Sequence, residues 1–420
     1  MDVAVSGVVG VMVIIAAVYG LSSDRGAVRW KQVGWGVVLQ VVLALLLLKV
    51  PGVKDVFGAI SSGVQWFVSF GDQGARYLFG NLVDQTLPVE VGEQTGIAQL
   101  GGVIILKILP TVIFVSSAMT VFYHLGVLQR VVAVMSWVVK RVLRVSGAEA
   151  LACCANVFLG MTEAPLLVRP YLAGMTRSEF LVVMVGGFAT IAGSMMAVYS
   201  SVFGVSFEFL LAASVLNAPA AIYLAKIYRP ETEEPSTLGG VHVQVERETV
   251  NVIDAAARGA TTGLTLALNI GALLLAFSAG IQLIDAMLEY VGSKTLPEGV
   301  ELSLGSIFGW IFCPLAFLMG VPASESVDVG QLLGIKTALN EYFAYDRLVQ
   351  LELSENARNI ATFALCGFAN LGSIAIMLGG IGTLVPERRA ELARLGMRAM
   401  VLGALANCTT AAIAGVVLAP

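Results

Sequence analysis

The sequence is poor in charge. Only 13% of its 420 residues are charged, whereas 57% are hydrophobic, and the mean hydropathy is +0.85. A soluble globular domain carries about 25% charged residues. The formal net charge of −4 is small, so nothing indicates a nucleic-acid partner. These values exclude an ordinary soluble domain and predict an all-α polytopic membrane protein whose main surroundings are the lipid bilayer.

Residues for metal and cofactor chemistry are also scarce. His124 and His242 are too few for a histidine metal cluster. The five cysteines form no C-x-x-C pair and lie in apolar stretches, where they read as small core residues: Cys153, Cys154, Cys313, Cys366 and Cys408. The Gly-rich segments are not followed by G-K-[ST], which excludes a phosphate loop. We therefore expect no cofactor.

The first apolar run has no positive charge before it, unlike a secretory signal peptide. Asp2 precedes the run, and the first basic residues, Arg25, Arg29 and Lys31, follow it. Because basic residues mark the inner side, the run is expected to be a retained helix that starts outside.

Hydropathy and basic loops divide the chain into five parts. We expect helices with an interfacial segment over 1–125, a first repeat over 126–226, a mobile cytoplasmic loop over 227–257, a further span over 258–292 and a second repeat over 303–420. The first repeat holds an interfacial helix, a re-entrant hairpin (147–175), a broken span (179–202) and a span (206–226). The second holds a re-entrant hairpin (325–355), a broken span (359–383) and the last span (399–418).

The segment Asn156–Pro165, NVFLGMTEAP, places polar residues between apolar runs. A charged side chain such as that of Glu163 costs about 2.5 kcal/mol or more at membrane depth, so it normally faces a cavity and a partner. Gly160 and Pro165 bracket the polar residues as a helix break would. The segment is therefore a candidate for half of a small-molecule site.

A second copy of this pattern follows in the other half of the chain. Thr162-Glu163, Ser178-Glu179 and Gly187-Phe188-Ala189 match Asn340-Glu341, Ser354-Glu355 and Gly367-Phe368-Ala369 in order. The first unit enters from the inside and the second from the outside. Inverted repeats with broken helices at matching positions indicate a transporter whose site lies near the bilayer midplane.

Several polar residues of these units could bind a solute. Glu163 and Glu341 are candidates for substrate hydroxyls, ring nitrogens or a coupling cation, and the alternative is a carboxylate that caps a helix N-terminus. Asn370 and Ser373 lie three apart and share a helix face, although interhelical hydrogen bonding would also explain them.

Asn156 and Thr190 offer neutral oxygens beside interrupted backbone, which suits Na⁺, but helix packing explains them equally well. Phe368 could stack on an aromatic ring or simply pack. Lys107 and Lys336 are expected to snorkel or to be paired.

At these residues the chain resembles the concentrative nucleoside transporter family, as a bacterial member. The matching blocks are Gly160-x-Thr-Glu-Ala-Pro165, Gly334-x-Lys336-Thr337-x-x-Asn340-Glu341 and Gly367-Phe-Ala-Asn-Leu-x-Ser-Ile-Ala375. The resemblance extends from about residue 98 to the end. It implies about eight transmembrane helices, two re-entrant hairpins that open to opposite sides, and a homotrimer in the inner (plasma) membrane. A transport domain would then move like an elevator against a scaffold formed by the helices of 1–125 and the span 258–292.

The resemblance also implies roles for individual residues. Thr162 and Glu163 would face the nucleobase, Glu341, Asn370 and Ser373 would hold the ribose hydroxyls, and Phe368 would line the site. Na⁺ would be bound by Asn156, Thr190 and the main-chain carbonyls of Leu159 and Ile191.

Two methionines depart from the family pattern. Many relatives have Gln where Met161 stands, and a thioether cannot donate a hydrogen bond to a base. Met195, nearby, is expected to affect base preference as well. Purine or pyrimidine preference is therefore left open.

The expected activity is import of nucleosides coupled to Na⁺, with proton coupling as the alternative. A passive channel and a membrane enzyme are rival classes. Glu163 and Glu341 could act as an acid/base pair, but the sequence offers no nucleophile–base motif beside them. The chain is therefore not expected to be an enzyme.

Overall fold

The computed structural model describes residues 3–84, 86–91, 94–99, 104–238, 249–295 and 302–419. Over these residues the chain is an all-α polytopic membrane protein, apart from one short ribbon of two antiparallel strands. An α-helix satisfies its backbone hydrogen bonds within one segment, which hydrocarbon requires. Helix breaks are tolerated at membrane depth only where protein or a water-filled cavity covers them.

The elements follow in chain order. The first part contains α1 (Val3–Gly20), α2 (Trp30–Leu48), α3 (Pro51–Phe79), β1 (Thr86–Val91), β2 (Gln94–Gln99) and α4 (Ile104–His124). The next contains α5 (Val127–Leu143), α6 (Gly147–Ala155), α7 (Arg169–Leu172), α8 (Arg177–Ala189), α9 (Gly193–Phe203) and α10 (Phe207–Tyr228). The last contains α11 (Val252–Thr295), α12 (Leu304–Leu318), α13 (Ser326–Ala338), α14 (Glu341–Gln350), α15 (Glu355–Leu365), α16 (Leu371–Leu384) and α17 (Arg389–Leu418).

Several helical stretches suit a membrane span by length and composition. Within the described residues these are Trp30–Leu48, Arg177–Phe203, Phe207–Tyr228 and Pro386–Leu418. A fifth candidate is the pair Leu109–His124 and Val127–Leu143, which bends by 72°. Three shorter apolar helices accompany them: Ala4–Gly20, Leu304–Leu318 and Leu371–Leu384.

The long helix α11 packs closely along α4. Gly259 and Gly263, spaced four apart, face the partner backbone: a Cβ built on Gly259 would lie 2.6 Å from Ser116 O. A Cβ built on Gly263 would lie 2.8 Å from Val112 O. Small residues at this spacing let membrane helices approach closely. This pair brings an early helix and the mid-chain helix together.

Local sequence features mark the start of the first hairpin and the break within it. Ser146 and Glu149 form a capping box at the start of α6, which ends at Ala155. After a turn, the 3-10 segment Ala164–Val168 begins with Pro165 in its first turn. The following span is divided into α8 and α9 by three non-helical residues, Thr190–Ala192.

The second hairpin has the same plan. α13 ends at Ala338, and Asn340 caps α14 because its Oδ1 accepts the Phe343 N–H at 3.2 Å. The next span is divided into α15 and α16 by a non-helical segment that ends at Asn370. Both units therefore combine an interrupted hairpin with an interrupted span, as the inverted repeat predicts.

In its described residues, 227–238 and 249–257, the polar stretch 227–257 contains buried side chains and the start of α11. Glu231 and Thr237 are buried, and α11 begins at Val252 rather than near 258, because Asn251 Oδ1 accepts the Asp254 N–H at 2.9 Å. The final helix also starts ten residues before the expected span, at Arg389. Residues 239–248, which include His242, lie outside the described residues.

Lys226 explains why the start of this stretch packs against the rest of the protein. Its buried Nζ lies 2.8 Å from a Glu149 carboxylate oxygen and 3.1 Å from one of Glu231. Thr176 donates to the same Glu231 oxygen at 2.9 Å. This lysine therefore connects the first hairpin, the broken span and the loop.

We expect Lys226→Met to destabilise the protein. Removing one partner of a buried ion pair leaves uncompensated charge, which costs about 3–5 kcal/mol. Thermal unfolding in detergent should show a lower unfolding temperature. Arg177→Met, which changes an exposed cation at the start of α8, should leave the unfolding temperature unchanged. Equal unfolding temperatures for wild type and Lys226→Met would contradict this account of the loop.

Candidate functional site

Glu341 is the centre of a buried polar cluster. It lies in the first turn of α14, directly after the break in the second hairpin, and is 4% exposed. Its Oε1 accepts the Tyr199 hydroxyl at 2.7 Å, and its Oε2 accepts the Asn370 amide at 3.1 Å. An intramembrane carboxylate held by such donors is a functional-site candidate.

Asn370 connects this carboxylate to the second broken span. It caps α16: its Oδ1 accepts the Ser373 N–H at 2.8 Å, which leaves its amide free to donate to Glu341. Ser373 is buried one helical turn further along the same face. The structure thus brings together the three residues assigned to ribose binding.

Tyr199 is a member of this cluster that the sequence analysis did not identify. It is fully buried in α9 and packs against Tyr345, with ring centroids 5.0 Å apart, and against Tyr342 at 6.3 Å. The available signal was weak: a buried tyrosine usually finds a partner for its hydroxyl. The identity of that partner depends on a contact across 142 positions.

One face of α16 leads from this cluster to the tip of the first hairpin. Asn370, Ser373, Met377 and Gly380 follow at helical spacing. A Cβ built on Gly187 would lie 3.0 Å from both Met161 Cβ and Met377 Cε.

Thr162 continues this contact. A Cβ built on Gly380 would lie 2.5 Å from its Cγ2, so glycine at 380 permits the approach. The tip of the first hairpin therefore lies against the same helix face that carries Asn370 and Ser373.

The two matched carboxylates lie in different surroundings. Glu163 is exposed at the hairpin tip, where its Oε2 accepts the Gly160 N–H at 3.4 Å, whereas Glu341 is buried. Phe368 is half-buried, and its N–H donates to Thr190 O at 3.2 Å. Met195 is buried near the start of α9.

The candidate cation residues lie where the first hairpin meets the first broken span. Asn156 caps the end of α6 and is fully buried, and a Cβ built on Gly186 of α8 would lie 3.6 Å from its Nδ2. Phe158 O accepts the Gly193 N–H at 2.9 Å, which joins the hairpin turn to the start of α9.

Several oxygens at this junction have no hydrogen-bond donor within the described part of the chain. They are Asn156 Oδ1 and the main-chain oxygens of Leu159 and Ile191. Thr190 Oγ1 donates to Gly186 O at 2.9 Å, and its lone pairs remain able to accept or to ligate. Buried oxygens without donors are costly unless something positive binds them. The residues present therefore fit a hard cation such as Na⁺.

Three family profiles match consecutive parts of the chain. Residues 9–82 match the "Na+ dependent nucleoside transporter N-terminus", 105–206 match "Nucleoside recognition", and 209–415 match the "Na+ dependent nucleoside transporter C-terminus". Among curated proteins, nucleoside permease NupC of Helicobacter pylori is 39% identical over 415 residues, which cover 97% of this chain and 96% of that protein.

Solved structures show the same fold. CNTnw in an inward-facing substrate-bound state is 40% identical, with a TM-score of 0.89, over 99% of this chain and 100% of that one. A doubly substituted CNTnw in an outward-facing state is 39% identical, also with a TM-score of 0.89, over 99% of this chain and 98% of that one.

Proposed function

The chain belongs to the Na⁺-dependent, or concentrative, nucleoside transporter family, and from that premise we propose that it imports nucleosides with Na⁺ across a bacterial inner membrane. The face of α16 that joins the Glu341 cluster to the first hairpin is the observation that supports this most. From Asn370 to Met377 the helix rises by about 10 Å, which is comparable to the long axis of a nucleoside. The polar end of the site, at Glu341, would suit a ribose, and the more apolar end, near Met161 and Met377, would suit a base.

The ribose hydroxyls would bind at Glu341, Asn370 and Ser373. A carboxylate accepts hydrogen bonds from hydroxyls, and charge-assisted bonds of this kind are stronger than neutral ones. The Asn370 amide and the Ser373 hydroxyl supply a donor and a mixed donor–acceptor. Tyr199 and Asn370 hold the carboxylate in place, so it is positioned before substrate arrives.

The base would lie toward the first hairpin, against Met161, Thr162, Glu163, Met195 and Phe368. Met161 contributes a polarizable contact but cannot donate a hydrogen bond, so polar recognition of the base would rest on Thr162 and Glu163. The carboxylate of Glu163 is exposed and accepts the Gly160 N–H, and with substrate present it would accept hydrogen bonds from N–H groups of the base. We therefore expect broad acceptance of purine and pyrimidine nucleosides.

Na⁺ would be the co-substrate, bound by Asn156, Thr190 and the carbonyls of Leu159 and Ile191. These residues join the hairpin turn to the helix break, so a bound cation would hold the two together beside the base end. A ligand shifts a conformational equilibrium only through its different affinities for the states. Ordering of the hairpin tip by Na⁺ would supply that difference.

Movement between the two sides would be of the elevator type in a homotrimer. The repeats 126–226 and 303–420 would form the moving domain, and 1–125 with 258–292 would form the scaffold. The close contact between α4 and α11 is consistent with such a scaffold.

The test is uptake of radiolabelled uridine and adenosine into proteoliposomes with Na⁺ or choline outside, at two pH values. We expect uphill accumulation only with an inward Na⁺ gradient and unchanged nucleoside inside. Accumulation that follows the pH gradient without Na⁺ would assign proton coupling instead. Equilibration without accumulation would indicate a channel, and altered nucleoside would indicate an enzyme.

A further inference from the structure

Residues 229–238, here called the strap, follow α10 and lie against the base of the first hairpin. Glu231 and Thr237 are buried within the strap. Burying a polar side chain costs free energy unless it is hydrogen-bonded. The partners of these two residues therefore show which parts of the protein the strap holds together.

Thr237 fastens the start of α6. Its carbonyl accepts the Gly147 N–H at 3.0 Å, and its Oγ1 accepts the Ala148 N–H at 3.3 Å. These are the first two residues of α6, and the first N–H groups of a helix have no partner within it. The strap thus supplies acceptors that the first arm of the hairpin needs at its N-terminus.

The strap also fastens the start of α8. Glu231 accepts the hydroxyl of Thr176, the N-cap of α8, at 2.9 Å. Thr237 Oγ1 donates to Oε1 of Glu179, in the first turn of the same helix, at 3.5 Å. The Thr237 hydroxyl therefore accepts from α6 and donates to α8, and it links the N-termini of the two helices.

These two helices end at the candidate cation residues. Asn156 caps the end of α6, and Thr190 caps the end of α8. Between the starts and the ends the helices pack together, and Cys153 Sγ donates to Val182 O at 3.5 Å. By helical rise, Asn156 lies about 14 Å from the start of α6. Because a closely packed helix transmits a displacement along its length, the positions of the two starts influence the positions of the two ends.

The base of the second hairpin is closed by the hairpin itself. Glu325 is the N-cap of α13, and its carboxylate accepts the N–H and the hydroxyl of Ser354 at 2.6 and 2.7 Å. Ser354 is the N-cap of α15. In both repeats a carboxylate thus binds the N-cap hydroxyl of the span that follows the hairpin. In the first repeat, that carboxylate comes from the strap.

We propose that the strap is a positioning element for the cation site. By fastening the N-termini of α6 and α8, it sets the relative position of the Asn156 and Thr190 oxygens at their C-termini. Thr237 is then a positioning residue, since it acts on the cation only through these helices. The proposal rests on the proposed cation coupling.

Loosening the strap should weaken cation binding. A site binds its ligand less tightly when its binding-competent geometry is populated for only part of the time. Nucleoside binding at saturating Na⁺ should be unaffected, because the bound cation then holds the two helix ends together.

The experiment compares Thr237→Val, which removes the hydroxyl and keeps the shape, with Thr237→Ser, which keeps the hydroxyl. Uridine uptake into proteoliposomes is measured over a Na⁺ series balanced with choline. Thr237→Val should raise the Na⁺ concentration for half-maximal uptake about threefold or more, as loss of a hydrogen bond predicts. The maximal rate and the KM for uridine at saturating Na⁺ should stay as in wild type. Thr237→Ser should keep the wild-type Na⁺ dependence, and so should Thr232→Val, which changes an exposed threonine of the strap.

A merely structural role of Thr237 would lower the amount of folded protein and the maximal rate without a change in the Na⁺ dependence. That result for Thr237→Val would overturn the proposal. Wild-type uptake that does not depend on Na⁺ would overturn the proposed cation coupling, and this inference with it.

If Thr237→Val does not fold, hydrogen exchange of the wild type decides the matter, because coupling between two sites is reciprocal. Na⁺ should slow exchange of the Gly147 and Ala148 amide hydrogens relative to choline. Equal exchange in the two salts, in a protein whose uptake requires Na⁺, would overturn the role of the strap and leave the proposed coupling intact.

Discussion

Glu341→Gln should reduce nucleoside uptake at least about 100-fold, because hydrogen bonds to a charged group contribute about 1.5–3 kcal/mol each and a ribose offers two hydroxyls. Glutamine has nearly the same shape, so the change removes charge and one acceptor rather than volume. It also places an amide N–H₂ beside the Asn370 amide donor or the Tyr199 hydroxyl, which disturbs the cluster that holds residue 341.

The measurement is initial uptake of radiolabelled uridine into proteoliposomes, together with the unfolding temperature with and without uridine. The variant should retain its fold and oligomeric state but lose stabilisation by uridine. Glu352→Gln is the matched control: Glu352 is exposed and follows the same helix of the hairpin, so uptake should stay at the wild-type level. Wild-type uptake by Glu341→Gln would remove this carboxylate from the mechanism.

Asn156→Ala should raise the Na⁺ concentration for half-maximal uptake at least about tenfold, since a lost ligand to a cation costs as much as a charged hydrogen bond. Asn156 is fully buried, and its Oδ1 has no donor among the described residues, as the proposed role as a cation ligand requires. Alanine also removes the amide bond to Ala152 O, and a modest loss of stability is expected besides.

Uptake should be measured over a Na⁺ series at saturating uridine. The change should appear in the Na⁺ dependence, while the maximal rate at high Na⁺ recovers in part. Asn251→Ala, which changes an exposed capping asparagine, serves as the control and should leave the Na⁺ dependence as it is in wild type. An Asn156→Ala variant with wild-type Na⁺ dependence would contradict the assignment of the cation residues.

The sequence predicted the repeated plan because the causes are local. Gly160 and Pro165 lie at the turn of the first hairpin, the first broken span is interrupted shortly after Gly187, and low charge with long apolar runs requires helices in hydrocarbon. The grouping of Glu341 with Asn370 followed from matched motifs, and the structure joins these residues by a hydrogen bond. The membrane class and the family could thus be predicted before any contact was known.

Other features could not be predicted because they depend on contacts between distant parts of the chain. The stretch after residue 228 packs against the start of the first hairpin because Lys226 lies between Glu149 and Glu231. A polar composition alone predicts only an exposed loop. Likewise, the hydropathy around Asn251 does not mark the start of α11, because the cap is a single side-chain hydrogen bond.

By itself, the sequence determined that this chain is a helical membrane transporter with two interrupted repeats, since hydropathy, helix-breaking residues and repeated motifs act over short distances. Only the tertiary structure decided which of the two matched carboxylates is buried, that Tyr199 holds Glu341, and that Lys336 lies at a helix break. The physical reason is that a buried polar group is defined by its partner. Here those partners come from segments that the chain brings together only when it folds.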